Sequence, residues 1–393
     1  MYVVILGRQP ELSIAELEKV YGENLLTPLS AQAALVDSQS IDVSRLGGAQ
    51  KVGQVLFDTD KKDWQKLSKR IIQYCMDNWS SSEAKITLGI SVYGAELDPR
   101  IIQKTGIIIK QALKKEGVSL RLVPNSEPAL NTAASHHNKL GSTINKHEIL
   151  VVYSNTDKVY VAESIGAQNI SAYAARDQKR PRRDSRIGML PPKLAQIMIN
   201  LANPQLPTTN PQILTLLDPF CGTGVVLQEA ALMGHGIYGT DLDERMIRYS
   251  RDNLNWLADT HKLQFDWYLH QGDATDTSWR QPISVVVSET YLGQPFTSTP
   301  TTEKLADVCK NCDLIITKFL KNIAPQISSD TPLCLAVPAW RDKNGNITHL
   351  PLINNLEKLG FKRHQFKNVS SNKLIYFRED QIVARELLVL ARS

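Results

Sequence analysis

The stretch Asp218-Pro219-Phe220-Cys221-Gly222-Thr223-Gly224 carries the strongest structural signal in this chain of 393 residues. An apolar run at residues 213–217 leads into it, and a segment of helical character follows it. This order predicts a strand, a tight glycine turn and a helix N-terminus, where bare backbone can approach a ligand closely. Strands and helices continue to alternate downstream, which predicts an α/β, doubly wound sheet.

Two further predicted strands bring acidic side chains to the same edge of that sheet. Residues 236–240 form an apolar segment that ends on Asp241, roughly 20 residues after the turn, where a carboxylate can accept both ribose hydroxyls of a nucleoside. A third candidate strand leads to Asp273 and Ala274. The sequence therefore predicts a nucleoside pocket at the carboxyl ends of parallel strands.

Asp218 indicates which nucleoside such a pocket would bind. The dinucleotide fingerprint G-x-G-x-x-G is absent, and an acidic residue opens the turn where a pyrophosphate would have to lie. A ligand that carries an amino group and a sulfonium suits a carboxylate better. A purely structural alternative is that Asp218 is a turn residue that caps the next helix.

The turn resembles the first motif of S-adenosylmethionine-dependent methyltransferases. The resemblance implies that S-adenosylmethionine is the cofactor. It also implies cofactor contacts at Asp218, Phe220, Gly222, Gly224, Asp241, Leu242, Asp273 and Ala274.

Length and composition predict about two or three domains with ordinary cores. No apolar run approaches the roughly 20 residues that span a bilayer, and the first residues lack the features of a signal peptide, so we expect a cytoplasmic protein without a membrane segment. The cysteines are too widely spaced for a disulfide framework. We expect no metal site, because Cys309 and Cys312 lack a second pair and His136-His137 lacks a carboxylate cluster.

Basic residues concentrate between the two halves of the chain. They are Arg176, Lys179, Arg180, Arg182, Arg183 and Arg186. Only Asp177 and Asp184 oppose them. Such a run can be a solvated linker, but its position at the expected domain junction favours binding of a polyanion.

The amino-terminal half has the pattern of two small α+β units. Strands are predicted at residues 2–6, 33–36 and 54–58 and helices at 11–21 and 64–79 in the first unit. In the second unit, alternation predicts a half-buried strand at 85–93, followed by a helix at 99–115 and a hairpin formed by 148–153 and 158–163.

Nearly the whole chain resembles the THUMP-containing tRNA guanosine N2-methyltransferases. The resemblance rests on residues 46–51, the Arg180-Pro181-Arg182 segment, residues 188–195 and the tail at 376–386, besides the motifs above. It implies a ferredoxin-like domain at 1–80, a THUMP RNA-binding domain at 81–165, a basic linker at 166–190 and a Rossmann-like class I methyltransferase domain at 191–393. It implies tRNA as the partner and adds Lys193 to the RNA contacts. The alternative for the amino-terminal units is a dimerisation or packing module.

The catalytic motif departs from that family. After the predicted fourth strand at residues 283–287, the family has Asp or Asn followed by Pro-Pro-Tyr, whereas this chain has Ser288-Glu289-Thr290-Tyr291. A carboxylate and an aromatic remain, with compressed spacing and no proline pair. Glu289 is the candidate acceptor that orients the guanine amine, and Tyr291 is the candidate platform for the extruded base.

Two alternatives to this function remain open. The altered motif is compatible with a non-catalytic tRNA-binding protein, and the cofactor motifs are compatible with a DNA amino-methyltransferase. The sequence identifies neither a protein partner nor a homodimer interface.

Overall fold

The computed structural model describes residues 1–60, 62–184, 189–202, 215–280, 282–296 and 298–393. They form two compact units, Met1–Ala172 and Tyr173–Ser393. Within the described ranges, no helix combines the length and the apolarity needed to cross a bilayer.

The first unit is an α+β structure with one sheet. Its strands are β1 (Tyr2–Leu6), β2 (Leu26–Ser30), β3 (Ala33–Val36), β4 (Ala49–Thr59), β5 (Ile86–Tyr93), β6 (Leu120–Leu122), β7 (Lys146–Tyr153) and β8 (Val159–Ala167). Its helices are α1 (Pro10–Tyr21), α2 (Trp64–Trp79), α3 (Pro99–Lys115) and α4 (Thr132–His137). The described strands are ordered β2-β3-β1-β4-β8-β7-β5-β6. Strands from both sides of residue 80 belong to this one sheet, because β4 pairs with β8. The predicted domain boundary at residue 80 stays a prediction.

Helices α2 and α3 begin and end where the sequence predicts. Asp63 and Asp98 cap them by accepting hydrogen bonds from Lys66 N and Arg100 N. Such caps satisfy backbone donors that the first helical turn leaves unpaired. The apolar stripes of both helices pack on β5, which is buried along its entire length. The prediction of a half-buried β5 is wrong, because the side chains of Leu130 and Leu140 also cover its other face at Gly89.

The second unit is a doubly wound α/β structure. Its strands are β9 (Thr215–Asp218), β10 (Gly236–Asp241), β11 (Trp267–Gln271), β12 (Val285–Glu289), β13 (Pro332–Arg341), β14 (Ile347–Thr348), β15 (Phe361–Arg363), β16 (Ile375–Tyr376) and β17 (Val383–Arg392). Its helices are α6 (Pro192–Ala202), α7 (Val225–Leu232), α8 (Glu244–His261) and α9 (Thr302–Ile323), preceded by α5 (Ile170–Gln178), which contains the boundary between the units.

Strand order places the site of this unit. The main path is β11-β10-β9-β12-β13-β17-β15. β9 pairs in parallel with β10 on one side and with β12 on the other. The order in which successive strands are added to the sheet therefore reverses at β9. Ligands of open α/β sheets bind at such a reversal, outside the carboxyl ends of the strands. β17 runs antiparallel to β13.

One hydrophobic core of the second unit lies between this sheet and α9. Ile316, Phe319 and Ile323 are fully buried on one face of α9 and pack with residues of the sheet. Two 3₁₀ segments, Pro351–Asn355 and Glu357–Leu359, precede β15. Gly360 follows them in the left-handed conformation at φ +84°, which is common for a glycine that ends a helical segment.

Candidate active site

The glycine turn connects the end of β9 to the start of α7. Gly222 and Gly224 have φ values of +51° and +80°, in the left-handed region that favours glycine. A Cβ on Gly224 would lie 2.8 Å from Ser250 Oγ, whereas a Cβ on Gly222 would meet open space. The predicted strand, turn and helix are confirmed, and the Gly222 backbone is accessible at the carboxyl end of the sheet.

Asp218 is a buried carboxyl group at the end of β9. Its Oδ1 accepts hydrogen bonds from Ser288 Oγ at 2.6 Å and from Phe220 N at 3.2 Å. Burial, together with the nearby charges of Asp241 and Glu289, raises the pKa of Asp218 to about 8, although the hydrogen bonds from Ser288 and Phe220 oppose the shift. The contact with Phe220 is a turn interaction, but Gly224 holds the capping position of α7, so Asp218 does not cap that helix. A cation placed here would stabilise the ionised carboxylate.

Asp241 fastens the glycine turn to the end of β10. Its Oδ2 accepts a hydrogen bond from Gly222 N at 2.9 Å, and its Oδ1 accepts one from Asp243 N at 2.9 Å. Burial raises the pKa of Asp241, and these two backbone donors oppose that shift. The neighbouring Leu242 is 67% exposed, which leaves an apolar side chain at the mouth of the site.

Asp273 and Ala274 lie in the turn that follows β11. The turn is held to β10, since Gly272 N donates to Asp241 O at 3.0 Å. Asp273 Oδ1 accepts a hydrogen bond from Thr275 N at 2.8 Å, and Ala274 is buried. The structure therefore brings the predicted acidic residues of β9, β10 and β11 to one edge of the sheet.

Glu289 is the last residue of β12 and forms an ion pair that the sequence did not predict. Arg385 Nε, on β17, donates to Glu289 Oε1, and the two side chains are 6% and 18% exposed respectively. Burial raises the pKa of Glu289, while the guanidinium of Arg385 opposes that shift. Tyr291, two residues further, is 37% exposed and is available to contact a ligand.

The altered motif begins inside the strand. Ser288 pairs in register with Leu335 of β13, and Thr290 N donates to Ala336 O at 3.0 Å. Ser288 was not predicted as a functional residue, although its hydroxyl holds Asp218. The signal was its place directly before Glu289, at the end of a predicted parallel strand.

The predicted basic segment divides into buried and exposed residues. Arg176 forms a bidentate pair with buried Glu229, with Nε–Oε1 and Nη2–Oε2 distances of 2.6 and 3.1 Å. Arg180 is also buried. This burial argues against Arg176 and Arg180 as phosphate contacts. Lys179, Arg182 and Arg183 are exposed, and Arg186 lies outside the described residues.

Lys193 lies near the start of α6. Its Nζ is 5.4 Å from the ring centroid of Tyr173, over the ring face. This cation–π contact gives Lys193 an intramolecular role, and its contact with RNA stays a prediction.

Arg182 is fixed to helix α8. Its backbone N and O pair with the side-chain amide of Asn253, at 2.9 and 3.0 Å, and its Nε donates to Asp252 Oδ2 at 2.7 Å. The predicted linker is therefore docked on the second unit at this residue. Among the described residues, no three His, Cys, Asp or Glu side chains form a group that could hold a metal ion.

Comparison with known proteins agrees with this geometry. Residues 179–312 match the family model described as the RMKL-like methyltransferase domain. The matched region contains the glycine turn, the three acidic strand ends and Glu289. The edge of the sheet described above thus lies within the region that is similar to a methyltransferase domain.

Relatives of known activity match part of the chain. A tRNA (guanine(10)-N2)-dimethyltransferase from Methanothermobacter thermautotrophicus is 31% identical over 156 residues, which is 39% of this chain and 40% of that protein. The enzyme of the same name from Pyrococcus abyssi is 37% identical over 100 residues, 25% of this chain and 26% of that protein. The chain thus spans less than half the length of either relative in these matches.

One solved structure shares the fold over the full length. TrmN from Thermus thermophilus aligns with a TM-score of 0.55 at 14% identity, and the alignment covers 100% of this chain and 99% of that one. This likeness shows that the two proteins share a fold.

Proposed function

We propose that this protein is an S-adenosylmethionine-dependent methyltransferase that modifies the exocyclic N2 amine of a guanosine in tRNA. The observation that carries the proposal is the set of carboxyl groups at the ends of β9, β10 and β11, gathered around an open glycine turn. The names of the two archaeal relatives support tRNA as the substrate class.

The site fits a cationic nucleoside. Asp218 is buried with a raised pKa, and other carboxyl groups face it, so a positive charge would relieve both desolvation and repulsion. S-adenosylmethionine carries an ammonium and a sulfonium, and when bound it supplies an electrophilic methyl group. We assign Asp218 and the backbone at Phe220, Gly222 and Gly224 to its amino-acid part.

The remaining cofactor contacts follow from the order of the strands. Asp241 at the end of β10 is assigned to the ribose hydroxyls. Leu242, Asp273 and Ala274 are assigned to the adenine, with the exposed leucine on the ring face. Each of these residues lies at a carboxyl strand end of one sheet, where the backbone holds its position.

Glu289 and Tyr291 are assigned to the guanosine. The lone pair of the guanine amine is delocalised into the ring, so a hydrogen-bond acceptor must orient the amine towards the methyl group. Glu289 lies on the strand next to β9 and is held by Arg385. Tyr291 offers a partly exposed ring on which an extruded base can stack.

The proposal also covers the rest of the chain. We assign residues 1–80 to a ferredoxin-like domain and 81–165 to a THUMP domain that binds tRNA. Residues 166–190 form a basic linker, and 191–393 form the class I methyltransferase domain. Lys179, Arg182, Arg183 and Lys193 are the candidate phosphate contacts around the linker. The exposed positive charges of Lys179, Arg182 and Arg183 support a polyanionic partner.

Transfer of a labelled methyl group tests the assignment. The purified chain is incubated with S-adenosylmethionine and either tRNA from cells that lack the protein or duplex DNA, and label is counted in each nucleic acid. Label in tRNA but not in DNA is the expected result. Label in DNA alone supports the DNA amino-methyltransferase. Binding of cofactor and tRNA without transfer supports the non-catalytic alternative.

A further inference from the structure

Helix α8 and the docked linker residue line a basic pocket that is open to solvent on one side. Its volume is about 250 Å³, and Arg182, Arg248, Tyr249, Arg251 and Asp252 line it. We call these five residues the α8 pocket. Four of them lie within one and a half turns of α8, and the fifth comes from the linker. The sequence drew attention only to Arg182.

The α8 pocket is held in place by buried polar contacts. Asn253 is fully buried, and its side chain pairs with both backbone groups of Arg182 while also donating to Thr223 O at 2.8 Å. Ser250 Oγ donates to Gly222 O at 2.9 Å. Helix α8 is therefore tied to the glycine turn by the residues that neighbour the pocket on the helix. A surface fixed in this way loses little conformational entropy on binding.

The charge of the α8 pocket is positive. Asp252 pairs with Arg182 at 2.7 Å. Arg248 pairs with Glu244 at 3.4 Å, but these two side chains are 56% and 67% exposed, so solvent screens the pair. Arg251 is exposed. Three guanidinium groups thus face one pocket that contains a single carboxylate.

An aromatic ring lies among these cations. The guanidinium of Arg182 is 5.4 Å from the ring centroid of Tyr249. Guanidinium groups bind phosphate oxygens in a bidentate manner, and an aromatic ring can pack against a ribose or a base. The combination is typical of sites that bind the backbone of a nucleic acid.

We propose that the α8 pocket binds a phosphodiester of the RNA substrate, with Arg248 and Arg251 on the phosphate and Tyr249 against the adjoining nucleoside. This inference rests on the proposed function, because it requires an RNA substrate. The inference adds an RNA contact on α8. Ser250 and Asn253 hold this helix against the glycine turn of the proposed methyl-transfer site. Arg182 lines the pocket from the linker side.

Salt-dependent tRNA binding by the full chain tests the α8 pocket. Arg248 and Arg251 are changed to Gln together. Arg182 is left unchanged because its contacts with Asp252 and Asn253 hold the linker on α8. Loss of two phosphate contacts should reduce the slope of log affinity against log salt by roughly 1.4 to 1.8 units. The cofactor affinity of the variant, measured by calorimetry, should equal that of the parent. This result would show that the variant domain is folded.

The matched control removes the same charge elsewhere in the unit. Arg280→Gln with Lys343→Gln takes away two exposed cations, and Arg280 also stacks on a tyrosine, at 5.3 Å from the Tyr268 centroid. This control should keep the parental slope. An equal loss in the control, or a parental slope in the Arg248/Arg251 variant, overturns the inference and leaves the proposed function standing. A parent that binds no tRNA overturns both.

Discussion

Replacing Arg385 by Gln should destabilise the second unit strongly, because it leaves Glu289 buried without its cation. The two side chains are 6% and 18% exposed, so water screens the pair poorly. Removal of one partner from a buried ion pair costs about 3–5 kcal/mol of unfolding free energy. Arg385→Gln should fall in that range near neutral pH.

The cost should depend on pH in a defined direction. Burial already raises the pKa of Glu289, and loss of the opposing Arg385 charge should raise it further. A carboxyl group whose folded-state pKa exceeds its unfolded value, about 4.3, binds more protons in the folded state. Stability is therefore lost as pH rises from about 4.3 through the folded-state pKa. The difference between Arg385→Gln and the parent should shrink as pH falls and Glu289 takes up a proton.

Urea unfolding of the parent, the single variants and the double variant of Arg385 and Glu289 measures the free energy of unfolding that the ion pair contributes. Glu289→Gln in the Arg385→Gln background removes the stranded charge and should recover part of the lost stability. Arg248→Gln is the control, since it breaks an exposed pair with Glu244 that is worth about 0.3–0.5 kcal/mol. If Arg385→Gln costs no more than this control and Glu289→Gln recovers nothing, the pair does not hold Glu289 in place.

Three further predictions concern the ligands. Asp241→Ala removes a charged acceptor worth about 1.5–3 kcal/mol, so cofactor affinity by calorimetry should fall roughly tenfold or more, and unchanged affinity would refute the ribose assignment. Because the Asp218 pKa is raised to about 8, cofactor affinity should increase as pH rises towards that value and level off above it. Asp218→Asn should flatten the pH dependence, whereas a variant with the parental profile would show that another group titrates. Tyr291→Ala should slow methyl transfer through lost base stacking, worth about 1–3 kcal/mol, with cofactor affinity unchanged. Tyr291→Phe keeps the ring and should retain activity, so equal losses in both variants would argue against stacking.

Local signals allowed much of the second unit to be predicted. The glycine turn and the strand that ends on Asp241 are encoded within short segments, because turn chemistry and apolar runs act between near neighbours in sequence. Helix α2 was predicted for the same reason, from its apolar periodicity, and the structure adds Asp63 as its cap. Parallel strands then place their carboxyl ends at one edge without further information.

Contacts distant in sequence could not be predicted. Arg385 and Glu289 are 96 residues apart in the sequence. They are close in space because their strands, β17 and β12, lie on either side of the same strand, β13. Arg176 lies in a basic run, and its buried partner Glu229 is 53 residues away. A charge run in a sequence does not show which of its members turn inward.

Two strands of the first unit also depend on contacts that are distant in the sequence. β2 was not predicted, since it carries Pro28 and only Leu26 and Leu29 are buried along it. Proline is tolerated there because β2 is the terminal strand of the sheet and pairs only with β3 among the described strands. β5 showed alternation but is buried on both faces, because the segment at residues 130–140 covers the face that a two-layer structure would expose.

Mass spectrometry of tRNA nucleosides tests the central claim most directly. Total tRNA is compared between cells that lack the protein, cells that carry it, and cells that carry the Glu289→Ala variant. The account predicts that N2-methylated guanosine is reduced without the protein, restored by the parent and not restored by the variant. An unchanged nucleoside profile in the deletion, together with no methyl transfer by the purified parent to that tRNA, would contradict it.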